Sequence, residues 1–306
     1  MKIIDLKTNT EIPFIPERTS IAVGNFDGVH KGHRALFECV KNDSKSLGTK
    51  SAVWSFDGFS PKSRGRCITL PSERRELVGK CGIDYLILYD FDDVCTLSPE
   101  EFVNDVLIKT CRAESAVCGF NFRFGKGAVG DSETLKALME QNGKSAFVMP
   151  PFEVDGVTVS SSLIRELIKD GKPEQIEKYL GRPFSVFLPV VHGRHLGRTI
   201  DSPTINQNFP PEHIVPKYGV YACRVIIDGE SYGGVSNVGV RPSVCEDGVC
   251  VNCETHIFNY SGDLYNREIR VEFLHFIRAE RKFPTIDELK KAITDDKVTA
   301  KKLLGL

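Results

Sequence analysis

No apolar run in this chain of 306 residues approaches the ~20 residues that a helix needs to cross a membrane. The first residues, Met-Lys-Ile-Ile-Asp-Leu-Lys, lack the long apolar core of a secretory signal, so work in the cytoplasm is expected. Charge of one sign is missing too. Forty Lys and Arg stand against 41 Asp and Glu, a net charge of −1, so no basic excess points to nucleic acid. There is no internal repeat and no low-complexity segment. Neither common nucleotide fingerprint is present. No Gly-Lys-Ser/Thr follows the first glycine-rich turn, and Gly24, Gly28 and Gly32 miss the G-x-G-x-x-G spacing.

What stands there instead is the decapeptide Gly24-Asn25-Phe26-Asp27-Gly28-Val29-His30-Lys31-Gly32-His33. It lies between a short apolar strand, Ser20–Val23, and a stretch with helical spacing (Leu36, Phe37, Val40) that ends at Gly48. Glycines at a strand-to-helix junction let backbone approach phosphate, and the helix N-terminus offers unpaired N–H groups. His30 and His33 share one face of a first helical turn and suit the charge that grows during displacement at phosphorus. The plain alternative is a glycine-rich turn carrying two surface histidines.

The length suits two domains. The first half alternates strands (Ile21–Val23, Ala52–Phe56, Tyr85–Leu88, Ala116–Gly119, Ala146–Met149) with helices (Arg34–Ser46, Ser72–Cys81, Pro99–Cys111, Ser132–Gln141), with Ser72 and Ser98 as expected N-caps. This predicts an α/β fold with a doubly wound parallel sheet, its ligands beyond the carboxyl ends of the strands. From about Ser185 the texture becomes β-rich: Ser185–His192, Gly219–Ile227, Tyr232–Val240, Cys253–Phe258 and Ile269–Ile277 read as antiparallel strands of a small barrel or sandwich. Thr285 caps a closing helical tail, Ile286–Ile293 and then Val298–Leu304. The join near Gly181-Arg182-Pro183 predicts domains 1–183 and 184–306.

Three further stretches are candidates. In Gly119-Phe120-Asn121-Phe122-Arg123-Phe124-Gly125-Lys126, ring faces and positive charge suit a planar ring system bearing phosphate, or the rings pack on their own core. In Ser160-Ser161-Ser162-Leu163-Ile164-Arg165, capping explains the serines. It does not explain Arg165 near a positive dipole end, where an anionic ligand would offset the charge. In the second half, Gly193, Gly197 and Arg198 lead to Pro203-Thr204-Ile205-Asn206, whose hydroxyl and amide oxygen face the same way on an extended chain and suit Mg²⁺. Glu254 is a candidate base, or an ordinary solvated strand glutamate. Of the ten cysteines, Cys39, Cys81, Cys111, Cys118 and Cys223 fit reduced core thiols. Cys245, Cys250 and Cys253 with His256 are either a metal site or incidental thiols, and strand alternation argues against convergence of all four.

The order Gly-x-Phe-Asp-Gly-x-His-x-Gly-His, Gly-x-Asn-Phe-x-Phe-Gly and Ser-Ser-Ser-x-Ile-Arg resembles the nucleotidyltransferase half of bacterial bifunctional riboflavin kinase/FAD synthetases. Pro203-Thr204-Ile205-Asn206, Gly219-Val220-Tyr221, Asn237–Pro242, Glu254-Thr255-His256 and Val271-Glu272-Phe273 resemble its kinase half. The resemblance implies FMN adenylyltransferase and riboflavin kinase activities, with riboflavin, FMN, FAD and ATP as substrates and products. Mg²⁺ would come with ATP, and no nucleic acid or membrane is implied. It implies a six-stranded Greek-key β-barrel for the second half. It gives His30 and His33 to phosphate, with Asn25 and Asp27 in the same motif, and Ser161, Ser162 and Arg165 to a second phosphate motif. Phe122 and Arg123 fall in the flavin and nucleotide loop. Thr204 and Asn206 would hold Mg-ATP, and Glu254 would be the base. The chain departs from the family at Asp57–Pro61, where a Pro-His-Pro is usual, at Ser162, at Asp201-Ser202 and at Ile205. Two alternatives follow: one active unit only, or a flavin-binding protein without turnover.

Overall fold

The parallel sheet of the first half has six strands, one more than its apolar runs predict. The structure is a computed structural model that describes residues 1–6, 15–58, 66–192, 204–245 and 248–306, without the side chains of 241–250. Two compact units divide between Ser161 and Ser162.

In the first unit the unexpected strand is β1 (Lys2–Leu6), which pairs in parallel with β4 (Tyr85–Tyr89) at the sheet edge. Only Ile4 and Leu6 of β1 are buried, and its charged residues mask it in the sequence. The order is β1-β4-β3-β2-β5-β8, with β2 at Thr19–Val23, β3 at Lys50–Phe56, β5 at Ala113–Gly119 and β8 at Ser145–Met149. The decapeptide therefore follows the second strand of the chain, at the carboxyl end of a central one.

Alternation along the strands sends side chains to two cores. Ile21, Val23, Trp54 and Ile87 pack with Phe102, Val103 and Leu135 on one face. Ala22, Val53, Leu86 and Val117 pack with Leu36, Phe37, Val40 and Leu77 on the other. The covering helices are α1 (Lys31–Leu47), closed by left-handed Gly48, and α2 (Pro71–Gly79) on the second face. On the first, after the single turn of α3 (Phe91–Val94), α5 (Ser132–Gln141) lies with the helical stretch that α4 (Pro99–Glu101) opens.

Ser98 does cap that stretch, in a reciprocal box with Glu101. Beyond it, Phe102–Thr110 is π-helical, with Cys111 N–H reaching Val106 C=O at 2.9 Å. Ser72 is not a cap: α2 begins one residue earlier, at Pro71, whose fixed φ and missing N–H suit the first helical position.

The short hairpin of β9 (Glu153–Val154) and β10 (Val157–Thr158) closes the first unit. The boundary falls at the first residue of α6 (Ser161–Asp170), which α7 (Pro173–Leu180) follows. The second unit continues as a six-stranded antiparallel Greek-key barrel in the order β11-β16-β13-β14-β15-β12. These strands are β11 (Phe184–Pro189), β12 (Ile205–Asn208), β13 (Gly219–Ile227), β14 (Glu230–Cys245), β15 (Gly248–Ile257) and β16 (Glu268–Ala279). The polar run Ile-Asn-Gln-Asn gives no sign of a strand, yet β12 helps to close the barrel. Val191 bridges Asn206, and fully buried Gln207 donates from Nε2 to Leu188 C=O at 2.7 Å and Ile269 C=O at 2.8 Å. One amide thus supplies hydrogen bonds that ladder pairing does not make at this seam. Gly219 is obligatory: a Cβ there would lie 2.3 Å from Arg278 C=O. Thr285 caps a single continuous helix, Ile286–Leu304, which Arg278 of β16 holds through a two-nitrogen contact with Asp296.

Candidate active sites

The decapeptide carries backbone strain. Phe26 (φ 50°), Gly28 (φ 84°) and Val29 (φ 40°) are all left-handed, a conformation that a β-branched valine rarely adopts. Gly28 sits where a Cβ would come 3.1 Å from Ile68, and Gly32 where it would come 3.3 Å from the His30 ring. His30 caps α1, its Nδ1 accepting the His33 N–H at 3.2 Å. The two imidazoles stack with centroids 3.5 Å apart and planes at 18°. The edge of Phe26 meets His33 at 5.2 Å. The pair expected to share a face is therefore in ring contact, at the start of a helix.

Gly24 and Asn25 begin the loop, and a Cβ on Gly24 would strike the Phe26 ring at 2.9 Å. Asp27 is buried and turned into the protein, where its carboxylate accepts the N–H groups of Ile68 at 2.9 Å and Thr69 at 3.2 Å. The Ser161 hydroxyl donates to the Asp27 carbonyl at 2.9 Å. Ser162 is exposed and Arg165 half-buried on the first turns of α6, and both belong to the second unit.

After β5, Asn121 and Arg123 are exposed, and Arg123 lies 3.6 Å from Asp131 across the two-residue ribbon of β6 (Arg123–Phe124) and β7 (Gly130–Asp131). Phe122 is half-buried and stacks on Phe124 at 5.4 Å. Phe124 is core, tilted against Phe102, so it offers no free face. The exposed ring of this loop is Phe120, which only its place next to Gly119 could have suggested.

After β3, Asp57 pairs with Arg75 and donates its N–H to Tyr89 C=O at 2.8 Å. The rest of that departure, 59–61, lies outside the described residues. So do Gly193, Gly197, Arg198 and Asp201-Ser202.

In the barrel, Asn206 of β12 stands in register with Glu254 of β15, which stands in register with Asn237 of β14. Thr204 is half-buried just before β12, Asn206 is buried and Glu254 is exposed. Asn206 Oδ1 accepts from Asn252 Nδ2 at 3.2 Å, and the Asn252 Oδ1 is buried without a partner. Cys253 points the other way, fully buried with its sulfur 3.5 Å from the Thr255 hydroxyl, and burial pushes its thiol up to about 11. His256 is on the face opposite Cys253, so these two cannot share an ion. The side chains of Cys245 and Cys250 lie outside the described residues. Among the described residues no group of three His, Cys, Asp or Glu is set to hold a metal.

One unit puts a glycine-and-histidine loop at a helix N-terminus, and the other lines up hard oxygen donors beside a carboxylate. Such an arrangement fits a nucleotide-dependent transferase built of two units. The family model for FAD synthetase matches residues 13–163, and that for riboflavin kinase matches residues 180–304. The chain belongs to the bifunctional riboflavin kinase/FMN adenylyltransferase family. The relative of that name from Escherichia coli K12 is 34% identical over 94% of this chain and 93% of its own. The one from Bacillus subtilis 168 is 32% identical over 92% of each. A crystal structure described as a macrolide-efflux protein from Streptococcus pneumoniae has the same fold, with TM-score 0.85, 30% identity and 98% of both chains covered. No helix among the described residues of this chain is long and apolar enough to cross a membrane.

Proposed function

We propose that the second unit phosphorylates riboflavin to FMN with ATP, and that the first adenylylates FMN to FAD with release of pyrophosphate. The observation that carries the reading is that both matched families meet in one chain, each on its own unit. In the kinase step, the riboflavin 5′-hydroxyl oxygen forms a bond to the γ-phosphorus of ATP while the bond to ADP breaks. Glu254 takes the hydroxyl proton. In the second step, an FMN phosphate oxygen attacks the α-phosphorus and pyrophosphate leaves. The Nε2 edge of His30 and the His33 ring, at the N-terminal end of α1, steady the charge that builds up.

Thr204 and Asn206 would hold Mg²⁺. The donor set fits: a hydroxyl and an amide oxygen, with the unpartnered Asn252 Oδ1 beside them. When bound, the ion supplies charge neutralisation at the ATP phosphates. Asn121, Phe122 and Arg123 serve the flavin and nucleotide, and Gly193, Gly197 and Arg198 serve ATP in the kinase. The functional division we propose, 1–183 and 184–306, keeps Ser161, Ser162 and Arg165 with the adenylyltransferase, because they form one sequence motif. Work in the cytoplasm fits the eight cysteines described, all free thiols.

The test is chromatography of flavins after incubation with Mg²⁺-ATP, starting from riboflavin and, separately, from FMN. FAD from both supports the reading. FMN that goes no further means an inactive first unit. FAD from FMN alone means an inactive kinase, and tight retention of flavin with no product and no ATP consumed means a flavin-binding protein.

A further inference from the structure

Beneath the decapeptide lies a buried arginine to which the residues of the site give no role. Arg74, in the second turn of α2, is only 6% exposed. Its guanidinium spreads over main-chain carbonyls of two segments. Nη1 donates to Asn25 C=O at 3.3 Å, in the decapeptide. Nη2 donates to Phe56 C=O, to Gly58 C=O at 3.3 Å and to Asp57 C=O at 3.4 Å, after β3. Burial lowers its affinity for the proton, and the Asp27 carboxylate nearby offsets part of that. The stretch leading into α2 adds to the same contact. Ile68 and Thr69 bind the Asp27 carboxylate, and the Thr69 hydroxyl accepts the Gly28 N–H at 3.1 Å.

Helix α2 has no need of this for anchorage, since Leu77 and Val78 already bury its apolar face. The Gly24 N–H to Trp54 C=O bond at 3.3 Å and the Ser55 hydroxyl on Asn25 C=O at 3.2 Å tie the start of the decapeptide to β3. An arginine taken out of water to hold four carbonyls extends that tie to residues 56–58, beyond the end of the strand. The decapeptide carries strain at Phe26 and Val29 that persists only where neighbours over-determine it.

We propose that Arg74 is a positioning residue for adenylyl transfer: it sets the distance between the decapeptide and the chain after β3, so that His30 and the N-terminus of α1 meet the phosphate in reactive geometry. It acts through Asn25 and residues 56–58. The role rests on the FMN adenylyltransferase reading of the first unit. A planar fork is essential to it. Lysine carries the same charge but cannot span both segments.

The experiment uses Arg74→Lys in the full chain, with riboflavin phosphorylation as the internal control. The expected result is a fall in kcat for FAD formation from FMN of about a hundredfold, as for a misplaced reactant, with KM for ATP, kinase rate and melting temperature near wild type. FAD formation at the wild-type rate overturns the role. So does a loss that falls equally on the kinase and on thermal stability, which marks a merely structural residue. Thr69→Val, which removes the hydroxyl that accepts from Gly28 and donates to Asp27 Oδ1 at 3.5 Å, is the second variant should Arg74→Lys not fold, and a loss of about tenfold in kcat alone is expected from it. Absence of FAD from the wild-type chain overturns the parent reading as well. FAD from wild type with Arg74→Lys unaffected overturns the positioning role alone.

Discussion

His30 and His33 stack at 3.5 Å while His30 Nδ1 accepts the His33 backbone N–H, so one imidazole both caps α1 and forms half of the candidate phosphate contact. An accepting Nδ1 puts the neutral ring's proton on Nε2, leaving that edge as the donor. The two duties separate in His30→Asn, because asparagine is a good cap and has no ring. The expected outcome is near-wild-type stability with FAD formation down about a hundredfold. His30→Ala should lose about 1 kcal/mol of stability in addition. Denaturant unfolding and FAD assays on the two variants check this, and full activity in His30→Asn would remove the ring from the reaction.

Glu254 is exposed and in register with Asn206 and Asn237, so its carboxylate stands on the solvent-facing side of the candidate kinase site. Glu254→Gln keeps shape and removes the base. Riboflavin phosphorylation should fall by about 10²- to 10⁴-fold, with FAD formation from FMN unchanged. A kinase rate equal to wild type would rule out the base.

The C-terminal helix is held to the barrel by an ion pair that is mostly out of water. Arg278 donates to both oxygens of Asp296 at 2.9 and 2.7 Å, and the Asp296 side chain is 9% exposed. Removing one partner strands a buried charge, so Asp296→Ala should destabilise the second unit by about 3 kcal/mol. Urea unfolding followed through kinase activity measures it, and an unchanged midpoint would refute the claim.

Asp131 gives a pH dependence with a definite sign. The Thr134 N–H first, then the Thr134 hydroxyl and the Arg123 charge, hold its carboxyl below its ordinary 3.8. A lowered folded value contributes stability that is present above pH 3.8 and is lost as pH falls through that lower value. Melting of the first unit should therefore fall more steeply below about pH 4 in wild type than in Asp131→Asn, which still caps α5. Parallel acid profiles for the two proteins would show that the carboxylate is not linked to folding.

Most of the framework is legible in the chain because its causes are local. Strand–helix alternation, the Ser98 box and the Gly48 stop each depend on residues a few positions apart. β1 was hidden because an edge strand buries only two of its five residues, and β12 because its inward residue is a glutamine that bonds carbonyls across the seam. Phe124 reads as a binding face beside Phe122, but a ring in a loop has no sequence mark that separates core from surface.

By itself the sequence determined which segments carry glycine, hydroxyl, imidazole and carboxylate chemistry, and in what order, since spacing sets which side chains share a turn or a strand face. Only the tertiary structure decided that Arg74 lies beneath the decapeptide, that Asp27 turns inward to Ile68 and Thr69, and that Asn206 stands opposite Glu254. These contacts join residues more than forty positions apart. They are set by strand order, register and the satisfaction of buried polar groups, which no local spacing encodes.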